Sequence, residues 1–254
     1  MEIRILQNPA EAGELAAKKT AAILCEAVEK NGSARLMAAT GQSQFALYDA
    51  LLKLEVPWEK IEIFHLDEYA GLPETHPASF QKYIKERFVD FIRPKTVYYI
   101  DGLADMAEFL PRLNKTAAQA PMDVGMIGFG VNAHIAFNDP PADFQQKDPY
   151  AIVELKETCK QQQVGEGWFP TTADVPACAV SASVPFIQSF RNIVSLIPHR
   201  VKAEAVKKVL EAKAVTPDIP GTALLSHPNW FLYLEPASAC LLDLNKVSAF
   251  DAAR

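Results

Sequence analysis

Residues 121–141 read PMDVGMIGFGVNAHIAFNDPP. A continuously apolar segment runs into two glycines, Gly128 and Gly130, then a lone histidine among small residues, then an Asn-Asp-Pro turn. An apolar run without polar alternation is what a strand covered on both faces needs, and that is the condition of a parallel sheet flanked by helices. Working outward, ARLMAAT (34–40), IEIFHLDEY (61–69), TVYYIDG (96–102), RNIVSLIPH (191–199) and NWFLYLE (229–235) share this character. Between them stand segments with apolar residues at helical spacing: 9–30, 41–55, 77–92, 106–120 and 201–212. Pro77 stands near the start of one and Pro111 sits awkwardly inside another. Strands alternating with helices predict an α/β fold with a doubly wound, mostly parallel sheet.

No repeat, low-complexity tract or linker divides the chain, so residues 1–254 are read as a single domain. Residues 139–183 break the rhythm with several polar and turn-rich patches, and a crossover this long reads as a lid or binding loop. The composition, 49% hydrophobic and 22% charged, is that of an ordinary soluble globule. A net charge of −6 argues against a nucleic-acid surface. The apolar runs are too short to cross a bilayer, and the N-terminus lacks the apolar core of a signal peptide. The four cysteines are scattered without a CxxC pair, and the five histidines are isolated. A reducing cytoplasm is therefore the expected location, with no zinc site and no disulfide framework.

In open parallel sheets ligands bind at the carboxyl ends of the strands, and four segments fall there. Thr40, Gly41, Gln42 and Ser43 link a strand to a helix and offer backbone N–H groups to an anion. Asp67 and Glu68 end the second strand; neighbouring side chains point to opposite faces, so only one can face a cleft, where a carboxylate is placed to take a proton beside a carbonyl, and Glu68 is counted among the expected substrate contacts. His134 follows Gly130, whose lack of a side chain lets backbone approach a ligand, with Asn132 and Asp139 near enough to hold the ring. His199, Arg200 and Lys202 crowd a helix start, where cations are unfavourable unless an anion compensates. Lys202 is the expected point-charge partner of a phosphate. The residues unaided suggest a phosphorylated small molecule with a carbonyl-type centre.

TGQSQFALYDAL, LDEYAGLP, GFGVNAHIAFNDP, IPHRVKAEAV and GTALLSHPNW occur in an order and spacing that resembles the glucosamine-6-phosphate deaminase/isomerase family, related to 6-phosphogluconolactonases. The resemblance runs from about residue 30 to residue 240 and implies a modified Rossmann-like fold. It implies conversion of a hexosamine 6-phosphate to a ketose 6-phosphate with release of ammonia, as in amino-sugar catabolism, without cofactor or metal. In enzyme class this falls among hydrolases of C–N bonds. By the same resemblance Asp67 moves a proton between C2 and C1, and His134, oriented by Asp139, assists ring opening. The phosphate lies on Gly41, Gln42 and Ser43 with Lys202 opposite, and Lys160, Gln161 or Gln163 of CKQQQVGEGWF (159–169) approaches the sugar phosphate. The sugar phosphate is the expected partner; a homo-oligomer is compatible with the family.

Several positions depart from the family's pattern. Its usual G-x-G-x-D-G-H here reads G-F-G-V-N-A-H, with Asn132 in place of a carboxylate and Ala133 in place of a glycine. An amide oxygen accepts a ring N–H but cannot balance an imidazolium. Any positive φ at Ala133 is strained. Gln42 and Gln44 replace small residues, and the basic residues of allosterically regulated hexamers are missing from PADFQQKDPY (141–150), so allosteric activation is not expected. A lactonase would follow the histidine with T-A-S-L-F-P where this chain has Ile135–Ala136–Phe137–Asn138. Alternative readings are that lactonase, a galactosamine-6-phosphate isomerase, and a non-catalytic sugar-phosphate sensor.

Overall fold

The computed structural model describes residues 1–247. It opens with a strand hidden by its charges, β1 (Glu2–Ile5), and a long helix, α1 (Pro9–Asn31). Asn8 caps α1 by accepting from the Glu11 N–H, Pro9 fills the first turn, and Gly32 ends it at φ 78°. Then follow β2 (Ala34–Ala38), α2 (Phe45–Leu51), β3 (Ile61–His65), β4 (Asp67–Tyr69), α3 (Phe80–Arg87), β5 (Thr96–Tyr98) and α4 (Met106–Ala117). Helix α4 continues through Pro111. Pro77 precedes α3, whose cap is Ser79. The second half holds β6 (Val124–Met126), β7 (Tyr150–Glu154), α5 (Glu157–Gly165), β8 (Cys178–Ala182) and α6 (Val184–Gln188). It ends with β9 (Ile193–Leu196), α7 (Ala203–Leu210), β10 (Trp230–Leu234) and α8 (Pro236–Ala239).

Seven strands form one sheet in the order β1-β10-β9-β6-β2-β3-β5, every neighbouring pair parallel. The fold is α/β, doubly wound and single-domain. Alternate side chains of one strand enter opposite cores: Leu36 and Ala38 of β2 pack with α1 and α2, while Met37 packs with the residues of α4, α6 and α7. Burial on both faces explains why these strands are apolar throughout. Chain order runs outward from β2 through β3 to β5, and in the other direction through β6, β9 and β10. The switch point therefore lies between β2 and β6, and the open crevice of such a sheet lies at their carboxyl ends.

IEIFHLDEY is not one strand. At Leu66 the chain leaves the parallel sheet: its N–H bonds Ala38 O at 3.1 Å, and its carbonyl accepts from Ala182 N at 3.0 Å. Asp67–Tyr69 then joins a second, antiparallel sheet of order β4-β8-β7. Residues 139–183 are thus not simply a lid, because most of their ordered part, β7 and β8, is sheet. Only α5 and the turn after it border the crevice. Among the described residues no helix is long and apolar enough to cross a membrane.

Candidate active site

A cleft of about 1310 Å³ opens at the switch point. Thr40, Gly41, Gln42 and Ser43 line it after β2, Asp67 after β3, Gly128 to Val131 and His134 after β6, and His199 and Lys202 after β9. The turn Gln42–Gln44 is a single 3-10 turn entered through Gly41 at φ 103°, a conformation that favours glycine. Among the described residues neither the Gln42 nor the Ser43 backbone N–H has an acceptor, so two donors stand free at the start of α2. Burial lowers the Lys202 ammonium from its ordinary value, and the carboxylate of Glu166 across the cleft opposes that shift. His199 takes φ 78°, ψ 140°, with its N–H on Glu235 Oε1 at 2.8 Å.

Asp67 faces the cleft and is only 5% exposed. No group among the described residues donates a hydrogen bond to its carboxyl. Burial, with repulsion from Glu68, pushes its pKa up to about 8. Glu68 is the correction: a substrate contact was expected, but its side chain points the other way. It accepts from Ser79 Oγ at 2.8 Å and from the N–H groups of Tyr69, Phe80 and Gln81 at 2.9, 3.2 and 2.7 Å. A carboxylate so engaged at the first turn of α3 is a helix anchor, as pleat alternation demands once Asp67 faces the cleft.

His134 Nδ1 lies 3.3 Å from Asp139 Oδ1. Asn132 does not hold the ring, contrary to the expectation. Its Oδ1 accepts from the His134 backbone N–H at 3.0 Å, and its Nδ2 donates to Asp139 Oδ1 at 3.0 Å. The amide braces the carboxylate that braces the imidazole. Burial pushes the Asp139 carboxyl up, but His134 and Asn132, with the nearby Lys156 charge, together hold it below the usual carboxylate value. Gly130 is required by the ring itself: a Cβ there would stand 2.1 Å from His134 Cε1. The strain anticipated at Ala133 is present, at φ 67°.

Lys160, expected near the sugar phosphate, is a third departure. Helix α5 turns Cys159, Gln162, Gln163 and Glu166 to the cleft, positions three and four apart, which leaves Lys160 and Gln161 on the flank. Trp168 and Gln44 were not singled out as cleft residues, though both line it. Gln44 is 2% exposed with Oε1 unpaired. Helical spacing applied to CKQQQVGEGW would have separated Gln163 and Glu166 from Lys160. Among the described residues no cluster of His, Cys, Asp and Glu is disposed to hold a metal ion.

Residues 7–231 match the family of glucosamine-6-phosphate isomerases/6-phosphogluconolactonase. A glucosamine-6-phosphate deaminase of Lactobacillus delbrueckii subsp. bulgaricus is 30% identical over 243 residues, 95% of this chain and all of that protein. One from Bacillus cereus is 30% identical over 230 residues, 90% of this chain and 84% of that protein. A solved structure, described as a monomeric glucosamine-6-phosphate deaminase and missing link of the NagB superfamily, superposes with a TM-score of 0.85 at 29% identity, covering 95% of this chain and all of the other. A 6-phosphogluconolactonase of Trypanosoma brucei gives a TM-score of 0.77 at 16% identity, over 95% of this chain and 98% of that one, a likeness of fold alone.

Proposed function

Because the chain belongs to the glucosamine-6-phosphate isomerase/6-phosphogluconolactonase family, we propose that it isomerises and deaminates a hexosamine 6-phosphate, giving a ketose 6-phosphate and ammonia. One observation carries the reading: the buried carboxyl of Asp67, the braced imidazole of His134 and the anion-binding set of Gly41, Gln42, Ser43 and Lys202 line one cleft. The phosphoryl group takes the free N–H donors of the 42–44 turn and the Lys202 ammonium, fixing the sugar by its far end. His134, steadied by Asp139 and through it by Asn132, passes a proton to the ring oxygen as the pyranose opens. Ionised Asp67 removes the C2 proton and returns it to C1, while O1 gains the proton that the C2 ammonium gives up, so that C1 becomes CH2OH and C2 a protonated imine. Water adds to that carbon and ammonia departs. None of these steps calls for a redox cofactor or metal.

The family name covers lactonases as well, but the relatives at 30% identity are named deaminases. The lactonase structures are alike in fold at under 25% identity, and Ile135–Ala136–Phe137–Asn138 departs from the lactonase pattern. Purified protein supplied with glucosamine 6-phosphate is expected to release ammonia and fructose 6-phosphate in equal amounts, with galactosamine 6-phosphate run beside it. The Asp67→Asn variant should lose about 10³-fold or more in kcat. Absence of ammonia from both sugars, or an Asn variant as fast as wild type, overturns the proposal. Turnover of 6-phosphogluconolactone instead would favour the lactonase, and ligand binding without turnover the sensor.

A further inference from the structure

Whether the 42–44 turn grips an anion depends on which way its peptide units face, and a side chain outside the catalytic set controls one of them. The Gly41 carbonyl accepts from Tyr83 Oη at 2.9 Å and from the Gln44 N–H at 3.0 Å. In a planar trans peptide the C=O and the next residue's N–H point in opposite directions. A Gly41 carbonyl drawn toward α3 therefore turns the Gln42 N–H away from α3, and that N–H is one of the two donors left free. Glycine at φ 103° has no Cβ to restrict it, and besides the Gln44 N–H within the turn, Tyr83 is the one side chain among the described residues that holds this carbonyl.

Tyr83 is itself well held. Its ring stacks on Phe45 with centroids 5.8 Å apart and meets Tyr48 edge-on at 6.4 Å. The Arg87 guanidinium covers the other ring of the stack, 3.9 Å from the Phe45 centroid. Helix α3, which carries Tyr83, is anchored at its first turn by Glu68, the immediate neighbour of Asp67. One helix thus ties the segment bearing the base to the turn bearing the anion donors.

We propose that Tyr83 is a positioning residue for phosphate recognition, its hydroxyl locking the Gly41–Gln42 peptide with the N–H presented to the phosphoryl group. This rests on the reading of the 40–43 turn as the phosphate site. Burial pushes the Tyr83 hydroxyl above its ordinary range, so it remains a donor at any working pH.

The test is Tyr83→Phe, which keeps the stacked ring and removes only the hydroxyl. Calorimetric titration with inorganic phosphate and steady-state kinetics with glucosamine 6-phosphate are read together. The expected result is a rise of about five- to tenfold in both the phosphate Kd and the KM, the size of one hydrogen bond's net contribution. The kcat should fall by less than KM rises, and Tm should stay within about 2 °C. Phosphate affinity equal to wild type overturns the role of Tyr83 and leaves the functional reading standing. So does a kcat loss as large as the KM effect with a steep drop in Tm, which marks a merely structural residue. Wild-type protein that binds no phosphate overturns the phosphate site itself.

Discussion

Burial holds the Asp67 carboxyl at about 8, so at neutral pH most of the free protein carries that proton, while the proposed chemistry needs it gone. Activity should therefore rise with pH: log kcat/KM climbs with unit slope and levels near pH 8, the titration of the base in the free enzyme. A flat profile from pH 6 to 9 contradicts Asp67 as the base. Stability runs the other way. Between the ordinary value of 3.8 and the raised value of about 8, the folded state keeps a proton that the unfolded state has released, so stability declines as pH rises through that window. Asp67→Asn removes this penalty. Its Tm should match wild type near pH 4 and exceed it increasingly up to pH 8–9, although its kcat is down about 10³-fold or more. Two of the three non-glycine residues at positive φ among the described residues, Ala133 and His199, invite a similar comparison. At Ala133, relief of the left-handed φ by glycine, about 1–2 kcal/mol, is offset by loss of a fully buried methyl worth about 0.8 kcal/mol and by glycine's greater freedom when unfolded. His199 at φ 78° is exposed, so no buried group is lost there and only glycine's freedom when unfolded offsets the relief. His199→Gly should stabilise the ligand-free protein by about 1 kcal/mol, read as a Tm gain of roughly 2–4 °C. A lower Tm would show that the His199 side chain contributes more than its strain costs.

At the scale of elements, Glu68 is the joint on which α3 depends. Its carboxylate satisfies three backbone N–H groups and the Ser79 hydroxyl in a buried position. Glu68→Gln turns one acceptor into a donor facing donors, and should cost about 2 kcal/mol or more, a Tm loss of roughly 4–8 °C. It also removes the repulsion that helps raise Asp67, so the rising limb of the pH profile should move to lower pH. If neither Tm nor the limb moves, the anchor has been misread. The same region shows what sequence conveys about elements. The strands of the parallel sheet were legible because burial on both faces leaves an unbroken apolar run. The break at Leu66 was not, since no glycine or proline interrupts IEIFHLDEY and only the Leu66 hydrogen bonds divide the two sheets. YAIVE of β7 buries only Tyr150 and leaves Ile152 and Glu154 open, so it carries no period-two signal among the surrounding turn residues, and EIRI of β1 was masked by its charges. The site followed the same rule. Strand-end position pointed to His134 and to the Asp67–Glu68 pair, and Asp67 and His134 do line the cleft. The choice between the two carboxylates came only with the family resemblance. Roles set by side-chain direction were not legible: Glu68, Asn132 and Lys160 each lie beside the site in sequence, but rotation along a strand, turn or helix sends their polar atoms elsewhere.

The whole molecule brings together segments far apart in the chain. The 40–43 turn, Asp67, the Gly128–His134 stretch, Lys202 and α5 meet only around the cleft at the switch point. A bound sugar phosphate would bridge segments that follow β2, β3, β6 and β9, so its binding energy should appear as stability of the entire fold. Asp67→Asn is the suitable carrier, because it holds the sugar without consuming it. At a glucosamine 6-phosphate concentration of about 100 times Kd the gain is about 2.7 kcal/mol, or a Tm rise of roughly 5–10 °C for a domain of this size. Glucosamine lacking the phosphate should give a much smaller shift. Placing Lys202→Met in the same background should abolish most of it, because the chain carries a net charge of −6 and attraction of an anion must come from a local cation. A Tm unmoved by the sugar phosphate, or a shift that persists undiminished without Lys202, would mean that the two ends of the cleft do not serve one ligand.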